Sequence, residues 1–293
     1  MPQIDARLPR RLASKRGLHE LCLEHGVPTL PASFPANPEE LERIAADGRF
    51  PLVAKNLEAF ERRRAPVVQG SRRIDDARQL MALAKGWREG SAVILQDYLP
   101  VEESQDWIFN GYCDESSDLL VHFTGVKVRS SPPLAGMTSL AYSVPHPELV
   151  EMSSRFLKSI GYCGPLDLDW RYDRRSGRYY LLDFNPRIGA QFRAFETVAG
   201  VDVVRAMHLH LTGQAVPPGA QAVGRRYIVE SAEVRFALAT SLGYTAKESA
   251  DGPTSTELAW LASDDPIPFF AAFVRLVARK LRGLGRRLVG TRQ

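Results

Sequence analysis

Long apolar runs are absent from this sequence, since nowhere in its 293 residues do about 18 uncharged apolar residues follow one another, as a membrane-spanning helix requires. Residues 1–7 also lack the apolar stretch of a secretory signal. Cysteine is scarce, because Cys22, Cys113 and Cys163 are the only three, and they fall in no CxxC pair or other metal-binding spacing. The sequence therefore predicts a cytoplasmic protein with reduced thiols, without a disulfide framework or a zinc site.

Net charge is also small. The 38 Lys and Arg residues outnumber the 34 Asp and Glu residues by 4, which indicates no particular partner, so nucleic-acid binding is not favoured. The excess comes from the C-terminus, because residues 269–293 contain seven basic residues and no acidic one. With 44% apolar and 25% charged residues, the chain has a globular composition and the length of one large domain or two smaller ones.

Helix and strand patterns alternate along the first hundred residues and give way to β-rich sequence beyond them. Ser14 and Asn37 are N-cap residues that indicate the start of two helices. The predicted helices are residues 14–25, 37–44, 75–87, 147–160 and 199–211, and the predicted strands are residues 50–55, 92–98, 107–114, 119–128, 138–144, 166–170 and 179–184. A polar turn ending in Gly177 joins the last two strands, so we expect a β-hairpin there.

Two carboxylates and an amide lie close together on this predicted hairpin. Asp169 and Asp183 come near the ends of its strands, and Asn185 follows two residues after Asp183, on the same face of an extended backbone. Mg²⁺ favours such oxygen ligands and completes its shell with substrate phosphates and water. These residues are therefore candidate Mg²⁺ ligands beside a nucleotide. The alternative is that the aspartates are solvated ends of the hairpin.

Residues 183–187, Asp-Phe-Asn-Pro-Arg, resemble the E/D-x-N-P-R signature of ATP-grasp enzymes. Other segments resemble that family in the same order along the chain, namely residues 14–15 (Ser-Lys), 26–28 (Gly-Val-Pro), 50–55 (the lysine strand), 96–99 (Gln-Asp-Tyr-Leu), 126–136 and 164–169. The resemblance is to the carboxylate–amine ligases within the family. It implies an α+β ATP-grasp fold, in which two α/β subdomains hold ATP between two sheets, with a C-terminal helical extension.

The domain boundaries implied by the resemblance divide the chain into three parts. Residues 1–98 would form the N-terminal subdomain, with the lysine strand and a phosphate-covering segment. Residues 99–215 would form the C-terminal subdomain, with the metal and phosphate site, and residues 216–293 an extension that ends in a basic amphipathic helix.

The resemblance also implies roles for individual residues. The implied nucleotide ligands are Lys55 on the phosphates, the backbone of Gln96, Asp97, Tyr98 and Leu99 on the adenine edge, Glu103 or Asp106 on the ribose, and Lys127. The implied ligands of Mg²⁺, for which Mn²⁺ could substitute, are Asp169, Asp183 and Asn185, and the implied catalytic residues, which would clamp the transferring phosphoryl group, are Arg129 and Arg187. The alternatives are a solvated strand end for Lys55 and surface ion pairs for the two arginines.

The implied reaction is ATP-dependent ligation of a small carboxylate to a small amine through an acyl phosphate. The chain departs from the family pattern in having Asp where Glu is usual at both metal carboxylates, and an Arg-rich segment at residues 58–66 in place of a glycine-rich one. Only 13 residues precede Ser14, where ATP-grasp ligases commonly have a further domain. The acceptor site would then be completed by another surface, a protein partner or a second copy. A non-catalytic or partner-dependent ATP-binding module is the alternative function.

The C-terminal residues predict an amphipathic helix. Its apolar stripe, with spacings of 4, 3, 4, 3 and 4, consists of Phe270, Val274, Val277, Leu281, Leu284 and Leu288. The basic residues opposite would suit peripheral contact with an anionic membrane, nucleic acid or an acidic partner. Packing of the stripe on the protein's own body is favoured, because peripheral helices commonly dock through stripes of this width.

Overall fold

The computed structural model describes residues 7–57, 66–68, 70–88, 92–131, 136–233 and 254–275. The helices are Arg7–Ala13 (α1), Lys15–Glu24 (α2), Pro38–Ala46 (α3), Ala77–Met81 (α4), Pro147–Ser159 (α5) and Val203–Leu211 (α6), followed by helical residues over 230–233 and a helix over 267–275. The strands are Ala32–Ser33 (β1), Leu52–Asn56 (β2), Ser71–Ile74 (β3), Val93–Asp97 (β4), Ser104–Cys113 (β5), Leu119–Ser131 (β6), Met137–Ser143 (β7), Gly164–Asp173 (β8), Arg178–Asn185 (β9), Arg225–Ile228 (β10) and Ser255–Leu258 (β11).

The smaller sheet has four strands in the order β1-β4-β2-β3, and all its pairs are antiparallel. Helices α3 and α4 cover one face, where Leu41 and Leu80 join Leu52 and Ala54 of β2 in a buried cluster. Side chains alternate along a strand, so Lys55 points away from that cluster. The opposite face of β2 is therefore free to line a ligand site.

The larger sheet has seven strands in the order β11-β10-β7-β6-β5-β8-β9. On one face, α2 and α5 pack against β8 and β9, with Leu18 and Phe156 in the same cluster as Trp170 and Phe184. On the other face, α6 packs against β5 and β6 through Val203. The strands β10 and β11 fall within residues 216–293, the predicted extension, and extend this sheet at the β7 edge.

Local signals in the sequence explain where several helices begin. Ser14 is extended and accepts a hydrogen bond from the backbone N–H of Gly17, and Asn37 accepts one from the backbone N–H of Glu40. The predicted helix over residues 75–87 is shorter in the structure, because α4 ends at Met81 and a single 3₁₀ turn follows at Ala84–Gly86. Helix α1 has no counterpart among the predicted helices.

The 267–275 helix differs from the prediction that its stripe packs on the body. Phe270 and Val274, the members of the stripe that the structure describes, are exposed. Pro268, Phe269 and Ala272, on another side of the helix, are half-buried instead. No helix within the described ranges is both long enough and apolar enough to cross a bilayer.

Candidate active site

A cavity of about 350 Å³ lies between the two sheets, within the range of small-molecule sites. The smaller sheet and its connections contribute Val53, Lys55, Ser71, Arg73, Gln96, Asp97, Tyr98 and Leu99 to its lining. The larger sheet and the loop after β9 contribute Asp106, Lys127, Asp167, Asp169, Arg171, Asp183, Asn185, Arg187 and Gln191. Lys15 joins them from the start of α2.

The register of the β8–β9 hairpin brings the predicted metal ligands together. Asp169 is paired directly with Asp183, and Asp167 with Asn185, so all four side chains share one face of the hairpin. The intervening residues, Leu168 and others, point into the core on the opposite face. The alternation of buried apolar and cavity-facing acidic residues thus positions these candidate oxygen ligands.

Lysines are paired with both of these aspartates. The Nζ of Lys15 lies 2.5 Å from Oδ1 of Asp183, and the Nζ of Lys127 lies 3.3 Å from Oδ1 of Asp169. Burial opposes ionisation of Asp183, but Lys15, together with Lys55 and the backbone N–H of Phe184, outweighs it and holds the pKa of this carboxyl below its usual value. Burial likewise opposes the charge on Lys127, but Asp169 and Asp106 outweigh it and raise the lysine's pKa.

Lys55 enters the cavity from the smaller sheet without a carboxylate partner at hydrogen-bond distance among the described residues. Its Nζ donates to Oε1 of Gln96 over 3.4 Å. Burial, together with the positive charge of Lys15, lowers the pKa of Lys55 to about 8. A bound anion would relieve this repulsion, so Lys55 is suited to contact phosphate.

The predicted adenine segment, Gln96 to Leu99, forms the end of β4 and the connection after it, and lines the cavity. The backbone N–H groups of Asp97 and Tyr98 donate to the carbonyls of Pro31 and Pro51. Arg171 reaches the carbonyl of Leu99 over 3.4 Å. The segment is therefore fixed from both sides of the cavity.

Asp106 has both carboxylate oxygens engaged by one arginine. Arg171 donates to Oδ1 over 2.6 Å and to Oδ2 over 2.9 Å. Burial alone would lower the pKa of Arg171, but these hydrogen bonds and the charge of Asp106 raise it. A ribose hydroxyl would have to share Asp106 with this guanidinium.

Asp167 is a buried carboxyl surrounded by side-chain amides. It accepts from Gln191 over 2.8 Å, from Asn110 over 3.3 Å and from Asn185 over 3.5 Å. Burial and the neighbouring charge of Asp169 raise its pKa to about 7. The Nδ2 of Asn185 donates a hydrogen bond to Asp167, so the Oδ1 of Asn185 points away from Asp167. This oxygen accepts a hydrogen bond from Arg187 over 3.2 Å. Asp167 therefore orients a predicted metal ligand.

Two predicted residues are not brought to the cavity lining. Arg129 makes two hydrogen bonds to the carboxylate of Glu233, at 3.2 and 2.5 Å. Irregular pairing on both sides of Arg129 interrupts the alternation of side chains along β6, so Arg129 and Lys127 reach different partners. Glu103 lies in a 3₁₀ turn, 3.5 Å from Arg175. Of residues 58–66, the predicted phosphate-covering segment, all but Pro66 fall outside the described ranges.

The cavity residues that carried no role in the sequence-based prediction include Lys15, Asp167, Arg171 and Gln191. Period-two spacing along β8 was the signal for Asp167 and Arg171, which flank Asp169 at two residues on either side. Lys15 is the second residue of the Ser-Lys match, and its pairing with Asp183 spans 168 positions. Gln191 carried no such signal.

The oxygen donors in the cavity suit a hard divalent cation that also takes ligands from a nucleotide and water, rather than a metal ion held by protein side chains alone. Within the described ranges no group of three or more His, Cys, Asp and Glu side chains could hold a metal ion. Two carboxylates and one amide oxygen, however, are what Mg²⁺ needs when phosphates and water supply its other ligands. Lys15, Lys55 and Lys127 around these oxygens match the charge of a polyphosphate.

No protein-family model matches the chain. Among curated proteins, it is 25% identical over 224 residues to the D-aspartate ligase of Enterococcus faecium, a match that covers 70% of this chain and 51% of that enzyme.

Solved structures show the same fold. The biotin carboxylase domain of 2-oxoglutarate carboxylase from Hydrogenobacter thermophilus, solved as a dimer with MgADP, ADP and bicarbonate, superposes with a TM-score of 0.56 at 18% identity, over 73% of this chain and 48% of that chain. The L-amino acid ligase from Bacillus licheniformis superposes with a TM-score of 0.55 at 17% identity, over 74% of this chain and 51% of that chain.

The chain spans about half the length of these relatives. The two sheets with a cavity between them confirm the predicted fold. The chain therefore has the ATP-grasp fold and is similar to carboxylate–amine ligases that share this fold.

Proposed function

We propose that this chain catalyses ATP-dependent formation of an amide or peptide bond between a small carboxylate and a small amine, through an acyl phosphate. The observation that carries the proposal is that three candidate oxygen ligands on the β8–β9 hairpin and three lysines from separate elements line one cavity between the two sheets. Acidic and basic groups in this arrangement suit a metal–polyphosphate ligand.

The nucleotide would lie along the smaller sheet. The backbone N–H groups of Asp97 and Tyr98 donate to other residues, and the N–H of Leu99 has no backbone acceptor among the described residues, so Leu99 would be the donor to the adenine edge. Lys55 and Lys15 would contact the phosphates, and the pKa of Lys55 would rise from about 8 once a phosphate faces it. Asp106 would take a ribose hydroxyl alongside Arg171.

Asp169, Asp183 and Asn185 would hold Mg²⁺, with Mn²⁺ as a substitute. Bound Mg²⁺ would supply charge neutralisation on the phosphates during transfer of the γ-phosphoryl group. Asp167 would hold Asn185 in the orientation that presents its oxygen, and Arg187, beside Asn185, would hold the phosphoryl oxygens. Arg129 would join it only after release from Glu233.

The acceptor would enter on the side of Met137. This residue lines the cavity and is 74% exposed, so the cavity is open to solvent there. A site of this kind would be completed by a protein partner or by a second copy of the chain. The amine could then attack the acyl phosphate while shielded from water.

The test is Mg²⁺-dependent release of ADP by the purified chain, screened over pools of amino acids and other small carboxylates. The variant Asp183→Asn removes a metal-binding charge at nearly constant volume, and we expect it to lower the rate by at least about a hundredfold. The matched control is Asp118→Asn, an exposed carboxylate paired with Lys158 on the surface. Its rate should equal that of the parent chain.

Release that requires a particular pool and is lost in Asp183→Asn would support the ligase and begin to identify its substrates. ATP binding without release in any pool would favour the alternative, a non-catalytic or partner-dependent ATP-binding module. Equal rates in Asp183→Asn and the parent chain would refute the assignment of the site.

A further inference from the structure

The 267–275 helix exposes its apolar side. Four of its residues, here called the apolar face, are exposed to solvent: Ile267 by 73% of its surface, Phe270 by 60%, Phe273 by 55% and Val274 by 64%. They are spaced at three and four residues, so they lie on one side of the helix. Four large apolar side chains exposed together on one helix are unusual on a protein surface and mark a site of interaction.

The protein's own body does not take up this face in the described part of the chain. The helix instead turns Pro268, Phe269 and Ala272 inward, and these residues are half-buried. Both sides of the helix therefore carry apolar residues, but only one side is partly buried. Within the residues that the structure describes, the apolar face therefore has no partner that covers it.

Asp264 and Asp265 precede the apolar face, whereas the sequence after it is basic and favours an anionic partner. Residues 266–293 contain seven basic residues and no acidic one, starting with Arg275 within the helix. Aromatic and branched apolar side chains followed by Arg and Lys are the composition of segments that lie in the interface of a bilayer. Apolar groups enter below the headgroups there, and basic groups meet anionic lipids.

We propose that the apolar face and the basic residues after it bind the anionic surface of a lipid bilayer. Phe270, Phe273 and Val274 enter the headgroup region, and the positive charge of the sequence that follows them attracts anionic lipid. This attachment leaves the cavity between the sheets to its own ligands, so the inference does not depend on the proposed reaction.

Two other occupants fit the same surface less well. A second copy of the chain, pairing through this face, would bring two sets of seven basic residues together with no acidic residue among them. Nucleic acid would bind the arginines through its phosphates, but exposed phenylalanine and valine would gain nothing from phosphate contacts. A lipid surface uses both features.

The experiment is co-sedimentation of the full chain with vesicles of phosphatidylcholine alone and of phosphatidylcholine mixed with phosphatidylglycerol, at low and high salt. We expect binding to the anionic vesicles, weaker at high salt and at least about tenfold weaker in the double variant Phe270→Ser/Val274→Ser. The matched control is Leu211→Ser/Val223→Ser, which removes two apolar side chains exposed by 53% each elsewhere on the surface. It should bind like the parent chain.

A second variant, Arg279→Glu/Arg282→Glu, tests the charges without touching the apolar face, and it should lose binding to anionic vesicles. Failure of the parent chain to bind these vesicles would overturn the proposal, as would equal binding by the two serine double variants. Self-association in sedimentation velocity that Phe270→Ser/Val274→Ser abolishes, without vesicle binding, would assign the face to a second copy. Binding to a DNA duplex but not to vesicles would assign it to nucleic acid.

Discussion

The ion pair between Arg171 and Asp106 is expected to stabilise the fold far more than a surface pair of equal length. The two side chains are 11% and 24% exposed. Their hydrogen bonds, at 2.6 and 2.9 Å, are supplemented by one from Arg171 to the carbonyl of Leu99. Arg11 and Glu24 approach to the same 2.6 Å, but their side chains are 35% and 53% exposed. The two pairs therefore differ in burial and in the number of hydrogen bonds.

Removal of one partner from a buried pair costs about 3–5 kcal/mol, because the remaining charge is left without a counter-ion in a dry site. Asp106 keeps some contact with water, so we expect about 3 kcal/mol for Arg171→Met. At about 2–4 °C per kcal/mol for a chain of this size, the melting temperature would fall by about 6–12 °C. For Arg11→Met we expect about 0–1 kcal/mol, since solvent screens that pair.

Thermal unfolding followed by circular dichroism measures both variants under the same conditions. The double variant Arg171→Met/Asp106→Leu should recover most of the lost stability, because it leaves no uncompensated charge. Equal melting temperatures for Arg171→Met and Arg11→Met would refute the reasoning. So would a double variant that is no more stable than Arg171→Met.

Two further predictions concern the cavity. The pKa of Lys55 is lowered to about 8, so its ammonium group loses its proton as the pH rises through that value, and the affinity for ATP measured by calorimetry should fall above pH 8. In Lys55→Arg the affinity should stay level to about pH 10. A level pH profile in the parent chain would contradict the assignment of Lys55 to the phosphates. A Cβ on Gly189 would lie 2.7 Å from Cγ of Asp167, so Gly189→Ala should destabilise the fold by about 1–3 kcal/mol and weaken Mg²⁺-dependent ATP binding. The control is Gly86→Ala, where an added Cβ would have no atom within 4 Å, and it should change neither stability nor binding.

The parts of the fold and site that the sequence predicted are those set by local rules. Side-chain alternation along β8 and β9 requires only that the hairpin be recognised, and it puts Asp169, Asp183 and Asn185 on one face. The caps at Ser14 and Asn37 depend on three-residue spacings. None of these inferences needs knowledge of which distant segments meet.

The parts that the sequence did not predict depend on distant segments or on backbone irregularity. The interruption of pairing around Arg129 leaves no mark in the sequence, and it separates that side chain from Lys127, two residues before it. The resemblance implied Glu103 or Asp106 as the ribose ligand. The engagement of Asp106 by Arg171 depends on the pairing of β5 with β8, 65 positions away.

Two lysine–aspartate ion pairs in the cavity affect how it would bind a metal ion and a nucleotide. Lys15 and Lys127 are the counter-ions of Asp183 and Asp169, the two candidate metal carboxylates. Under the proposed function, the carboxylates bind Mg²⁺ and the lysines bind phosphate oxygens, so both ion pairs must break when the ligands bind. Neither the metal nor the nucleotide alone would compensate for the loss of these ion pairs. A metal ion without nucleotide would compete with two ammonium groups, and a nucleotide without metal would compete with two carboxylates. Binding of the two should therefore be cooperative, because each releases the groups that the other needs.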